Sequence, residues 1–125
     1  MAILDAGFFL ALAKNAAPNG FLVRARESKS FAVPASTLAE FWRTHRGPAE
    51  ARFGWLRPRV VDVDRALARR AGELLAATRG ANAMDAIVVA LAERLRAAEI
   101  YTSDHADIEK LVRNCAHPRC AVVSV

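Results

Sequence analysis

Four carboxylates, Asp5, Glu40, Asp85 and Asp104, stand where the chain passes from one apolar-patterned segment to the next. Asp5 follows Ala2-Ile3-Leu4, and Asp104 follows Ile100-Tyr101-Thr102-Ser103. Asp85 opens a strongly patterned stretch, and Glu40 lies in the first turn of another. Carboxylates sharing a small cleft repel one another, and a bound divalent cation is the simplest way to keep them ionised. Oxygen-only ligands select Mg2+ or Mn2+. One or two such ions activate water and neutralise charge on a phosphodiester during in-line displacement. Each acid also has a purely structural use. Asp5 and Asp104 can open loops, Asp85 can be a helix N-cap, and Thr37-Leu38-Ala39-Glu40 matches a capping box. Their joint placement says more than any one of them. Cys115, His117 and Cys120 are three soft ligands without a fourth and at no common zinc spacing. His45 and His105 have no evident nucleophile, and there is no glycine-rich phosphate loop.

The elements that must hold these acids follow from the apolar periodicity. A strand over Ala2–Leu4 ends at Asp5 and feeds a helix through Ala13. Pro18-Asn19-Gly20 breaks the chain, a second helix covers 21–28, and Phe31-Ala32-Val33 before Pro34 reads as a second buried strand. From Thr37, the residues Leu38, Phe41, Trp42 and His45 recur at helix spacing, which places Trp42 in an apolar stripe. Gly47-Pro48 ends that helix, and a short one follows over 49–55. Val60 to Val63 reads as a strand, with a helix after it that turns Leu67, Ala71, Leu74 and Leu75 to one side and closes at Gly80. The helix opened by Asp85 points Ile87, Val88, Leu91 and Leu95 inward. A strand over 100–102, a helix bearing Ile108, Leu111, Val112 and Cys115, and a terminal strand over 121–123 complete the chain. Strands separated by helices predict a parallel α/β sheet covered on both faces, with its functional crevice beyond the carboxyl ends of the strands.

Composition narrows the function classes. At 125 residues the chain fits one domain over 1–125, and 54% hydrophobic residues supply a core. The longest apolar run, 6–13, is far below the ~18 residues of a membrane span. Asp5 interrupts the apolar start and no Lys or Arg precedes it, unlike a secretion signal. Two cysteines make no disulfide scaffold and suit a reducing, cytoplasmic setting. Eighteen basic residues against 13 acidic ones give +5 at pH 7. Arginine supplies most of that charge, and its fork suits phosphate. Arg43, Arg46, Arg52 and Arg57, in a segment with Trp42, Phe53 and Trp55, have the composition that grips single-stranded RNA, or else form a solvated face beside core aromatics.

Ile3-Leu4-Asp5-Ala6, Thr37-Leu38-Ala39-Glu40, the stretch from Met84-Asp85 to Ala92, and Tyr101-Thr102-Ser103-Asp104 with Asp107 come in the order and at the separations of a PIN domain, which the chain resembles over nearly its whole length. In size it resembles the VapC-type toxins of toxin–antitoxin pairs. The resemblance implies a three-layer α/β/α fold with a mainly parallel central sheet of about five strands. It implies a Mg2+- or Mn2+-dependent endoribonuclease in which Asp5, Glu40, Asp85 and Asp104 hold the metal and do the catalysis. Thr102, Ser103 and Asp107 would be accessory. It further implies an RNA substrate, a cognate antitoxin that blocks the cleft, a homodimer, and a cytoplasmic protein without a membrane anchor. One position departs from the family: two residues after the first acid, where Ser or Asn is usual, stands Gly7, and the hydroxyls of Thr102 and Ser103 are the candidates to replace it. That departure sustains a rival, a non-catalytic PIN-like module that binds RNA or a protein, which metal-dependent cleavage of RNA would exclude. A phospho-receiver domain has similar length and architecture. It needs an acidic pair after the first strand and a Lys after a late one, and here no Lys follows Asp104 until Lys110.

Overall fold

Short strands buried on both sides need helices above and below, and this arrangement is found in the computed structural model, which describes residues 1–13, 30–44 and 56–125. The helices predicted over 21–28 and 49–55 lie outside those residues. The described elements are β1 (Ala2–Leu4), α1 (Ala6–Ala13), β2 (Phe31–Pro34), α2 (Ala35–Thr44), β3 (Arg59–Val61), α3 (Arg65–Ala77), α4 (Ala83–Leu95), β4 (Glu99–Thr102), α5 (His105–Asn114) and β5 (Ala121–Ser124). The strands form one five-stranded, all-parallel sheet in the order β3-β2-β1-β4-β5.

Side-chain alternation along β1 divides the core into two layers. Ile3 joins Ala32 and Ile100 under α3, α4 and α5, with Leu67, Leu74, Leu91, Ile108 and Leu111. Ala2 and Leu4 face the other way with Phe31, Val33 and Tyr101, under Phe8 and Phe9 of α1 and Leu38 and Phe41 of α2. This is the three-layer α/β/α arrangement. The order of strand addition reverses at β1, where β2 and β3 extend the sheet to one side and β4 and β5 to the other. The gap between the carboxyl ends of β1 and β4 is thus the topological switch point, where parallel sheets open a crevice.

Local chemistry sets several boundaries differently from the sequence reading. α2 begins directly after Pro34, two residues before Thr37. Thr37 is therefore buried inside the helix, no capping box forms there, and Glu40 lies in the second turn. Trp42, expected in the apolar stripe, is 48% exposed, while Leu38 and Phe41 fill the core. α4 starts at Ala83 with Asn82 as its N-cap, so Asp85 is not the cap but the third helical residue. β3 covers 59–61 instead of 60–63, with Arg59 and Val60 exposed at the sheet edge. No helix is long and apolar enough to cross a membrane among the described residues.

Candidate functional site

Asp5 leaves β1 at the switch point and turns its carboxylate back onto the start of α1. Oδ1 accepts from the amide of Phe8 at 3.2 Å, and Oδ2 accepts from the hydroxyl of Thr102 on β4. The side chain is almost fully buried, and that burial raises its pKa to about 6 against the partial relief of these hydrogen bonds. Thr102 serves the neighbouring acid as well. Its Oγ1 accepts the backbone N–H of Asp104 at 2.9 Å, so one hydroxyl links the ends of β1 and β4.

Asp104 is the N-cap residue of α5, and its carboxylate makes no capping hydrogen bond. Asp107, in the first turn of the same helix, stands 3.8 Å from Lys110. Asp85 comes from the first turn of α4, where Asn82 grips it twice. The Asn82 side-chain oxygen accepts the Asp85 amide at 2.9 Å, and its amide donates to Asp85 Oδ2 at 2.8 Å. The Asp85 pKa rises to about 6, first through burial and then through the charges of Asp104 and Asp5. One carboxylate oxygen from each of Asp85, Asp104 and Asp107 lies within 4.8 Å of the others.

Asp5, Asn82, Asp85 and Asp104 border one cavity of about 230 Å³, also lined by Gly7, Thr37, Glu40, Met84 and Ser103 among others. The four acids singled out in the sequence meet there from β1, α2, α4 and the start of α5. Asp107 joins the carboxylate triplet, whereas Asp5 and Glu40 border the same space outside it. No Lys or Arg is among the cavity's described lining residues, so the repulsion between the acids that line it is relieved by hydrogen bonds and not by a cation. Oxygen donors at such separations fit a hard divalent cation.

Asn82 and the packing of Ser103 against Gly7 escaped the sequence reading. An Asn three residues ahead of an acid at a helix start was a readable capping signal. The contact between residues 7 and 103 had no local signal, only the family resemblance that named the hydroxyls of Thr102 and Ser103 as substitutes for the group Gly7 lacks. Arg43 is exposed on α2, one turn beyond Glu40, and Arg57 is exposed at the amino end of β3, opposite the sheet edge that bears the cleft. Arg46 and Arg52 lie outside the described residues. Cys115, His117 and Cys120 form no metal-ligand group among the described residues. Burial pushes the Cys120 thiol up to about 11, and His117 Nε2 pairs with the carbonyl of Ala97 at 3.0 Å.

Comparison with known proteins agrees with this geometry. No curated protein matches the chain. The crystal structure of VapC20 from Mycobacterium tuberculosis, described as a sarcin-ricin loop cleaving toxin, is similar in fold, with a TM-score of 0.60 at 23% identity over 82% of this chain and 88% of that one. The family model described as PIN domain matches residues 2–113, a span that includes every acid of the cleft. An acid-lined crevice at the switch point of a parallel sheet, and a family match running through all the strands but the last, have one joint meaning: the chain belongs to the PIN domain family.

Proposed function

We propose that the cleft is the active site of a divalent-metal-dependent endoribonuclease acting as a VapC-type toxin, with RNA as substrate and a cognate antitoxin as its restraint. The observation that carries this reading is the convergence of acids from separate elements on one cavity with no cation in its described lining. Carboxylates are not brought together in this way for stability, since each one added raises the cost of ionising the next.

Asp85, Asp104 and Asp107 would hold Mg2+ or Mn2+, with Asp5 and Glu40 facing the same space. Such an ion, when bound, supplies charge neutralisation at a phosphodiester and a more acidic water. The chain's own residues supply order. Thr102 fixes Asp5 and the Asp104 backbone relative to each other, and Asn82 fixes one oxygen of Asp85. Position held before substrate arrives is what hydrolysis of an unactivated diester requires. Arg43, exposed one turn beyond Glu40, would meet an RNA strand leaving the cleft along α2. A homodimer in the cytoplasm completes the reading by its likeness to toxins of this type.

Cleavage of a structured RNA in Mn2+ tests it. Wild type is expected to cut, and Asp85→Asn and Asp104→Asn are expected to lose at least a hundredfold in rate while staying folded. Cleavage by either variant at the wild-type rate would refute the cleft as the active site, and a wild type that binds RNA without cutting it would favour a non-catalytic binding module.

A further inference from the structure

Position 7 is closed to side chains by a residue far along the chain. A Cβ built on Gly7 falls 2.0 Å from Ser103 Oγ, 2.5 Å from Ser103 Cβ and 2.7 Å from Ser103 N. Real Cβ atoms do not approach so closely, so the first turn of α1 and the end of β4 pack together only because residue 7 is glycine. The side chain that takes the space is the hydroxymethyl group of Ser103, and both residues line the acidic cavity.

The hydroxyls and amides bordering the acids differ in what they have left to give. Thr102 is fully engaged, donating to Asp5 and accepting from the Asp104 amide. The Asn82 amide is held by Asp85. Thr37 is buried in α2. Ser103 is exposed, and its Oγ makes no hydrogen bond with any described residue. A neutral donor has a specific use in a pocket of carboxylates. A Lys or Arg there would pair with the acids and cancel the charge that attracts a metal, whereas a hydroxyl donates to an anionic oxygen without doing so.

We propose that Ser103 is a substrate-contacting residue whose hydroxyl donates to a phosphate oxygen of RNA in the cleft, and that residue 7 is glycine to leave that hydroxyl its place. The proposal rests on the nuclease reading of the same cleft and assigns to Ser103, not Thr102, the polar group that position 7 lacks.

The test uses Ser103→Ala, with Asp85→Asn as the control for chemistry. Cleavage of an RNA stem-loop is followed in Mn2+, and binding of the same labelled RNA by fluorescence anisotropy in Ca2+. One hydrogen bond from a hydroxyl to a charged phosphate oxygen corresponds to about a ten- to hundredfold loss. Ser103→Ala is therefore expected to lower kcat/KM and weaken RNA binding by about that factor, with unchanged Tm and unchanged half-saturating Mn2+. Gly7→Ala is expected to lower Tm. Adding Ser103→Gly should recover part of that loss and not all, because the backbone nitrogen of residue 103 remains in the way. If Ser103→Ala equals wild type in both RNA assays while Asp85→Asn is inactive, the Ser103 assignment falls and the nuclease reading stands. If wild type does not cut but Ser103→Ala binds RNA more weakly, the nuclease reading falls and the contact stands. A wild type that neither cuts nor binds RNA overturns both. A Gly7→Ala variant as stable as wild type overturns the steric half, and a half-saturating Mn2+ that shifts with kcat/KM overturns the substrate contact.

Discussion

Asp5 and Asp85 sit in the protein at a cost that pH reveals. Both have folded-state pKa values of about 6, above their ordinary 3.8. A carboxyl raised in this way favours the fold in its protonated form. Its stabilisation is fully present below pH 3.8 and is lost as pH rises through 6. The metal-free protein is therefore expected to lose stability between about pH 4 and pH 7 from these two groups. Asp85→Asn removes one of the repelling charges and keeps the size and both bonding positions toward Asn82. In chelator it should melt a few degrees above wild type at pH 7, on the order of 1 kcal/mol, and no higher near pH 4. Millimolar Mn2+ should close or reverse the gap at pH 7, because binding to the native state stabilises it by mass action. Thermal melts of both proteins at the two pH values, with and without metal, decide this. A wild-type Tm independent of pH over that range would contradict it.

Away from the cleft, the elements that hold the acids are tied by a second charged group of opposite character. Glu93 on α4 takes Arg70 of α3 in a two-pronged pair, Nε to Oε1 at 2.6 Å and Nη2 to Oε2 at 2.9 Å, and its Oε2 also accepts the amide of Ala116 beyond α5. One carboxylate thus joins α3, α4 and the turn before β5. The side chain is only 16% exposed, and Arg70 holds its pKa below the usual 4.5. Stability from such a group is present above the unfolded pKa and lost as pH falls through the folded one. Glu93→Gln is expected to cost on the order of 2 kcal/mol at pH 7, with the gap narrowing below about pH 4.5. Arg69→Ala, which removes an exposed pair with Glu73, should change little. Urea titrations of both variants check the ranking. This scale also shows what the sequence could carry. Alternation in β1 and the runs in α4 and α5 were legible because burial imposes a period, and with them came the parallel sheet and the edge where acids gather. The start of α2 was misread because a Thr-x-x-Glu pattern imitates a helix start, whereas the helix already begins at Ala35. The Ser103 contact with Gly7 had no local signature, since no local rule links two backbones that meet only in the finished fold, and only the family resemblance pointed to it.

Seen whole, the molecule is basic, with a net charge of +5, yet it concentrates acids at the sheet's switch point and leaves no Lys or Arg in the described lining of that cleft. An anion is drawn to the body and admitted to the cleft only when something offsets the acids, so under the proposed function a metal would be a condition of entry as well as of chemistry. The order of the strands has another effect, on when the cleft exists at all. The central strand is made well before its partner on one side: Ala2 pairs with Glu99, Leu4 with Tyr101, and the hydrogen bond from Thr102 to Asp5 spans 97 residues. During synthesis β1 can meet β2 early, but the wall carrying Thr102, Ser103, Asp104 and Asp107 does not yet exist. Contacts this distant in sequence form late and slowly. A ribosome-bound chain stopped at residue 98 is expected to release no cleavage products from RNA, and activity should appear only after β4 and the start of α5 have left the exit tunnel. The topology thus works as a timer: the proposed nuclease cleft cannot close until the chain has been made through β4 and the start of α5.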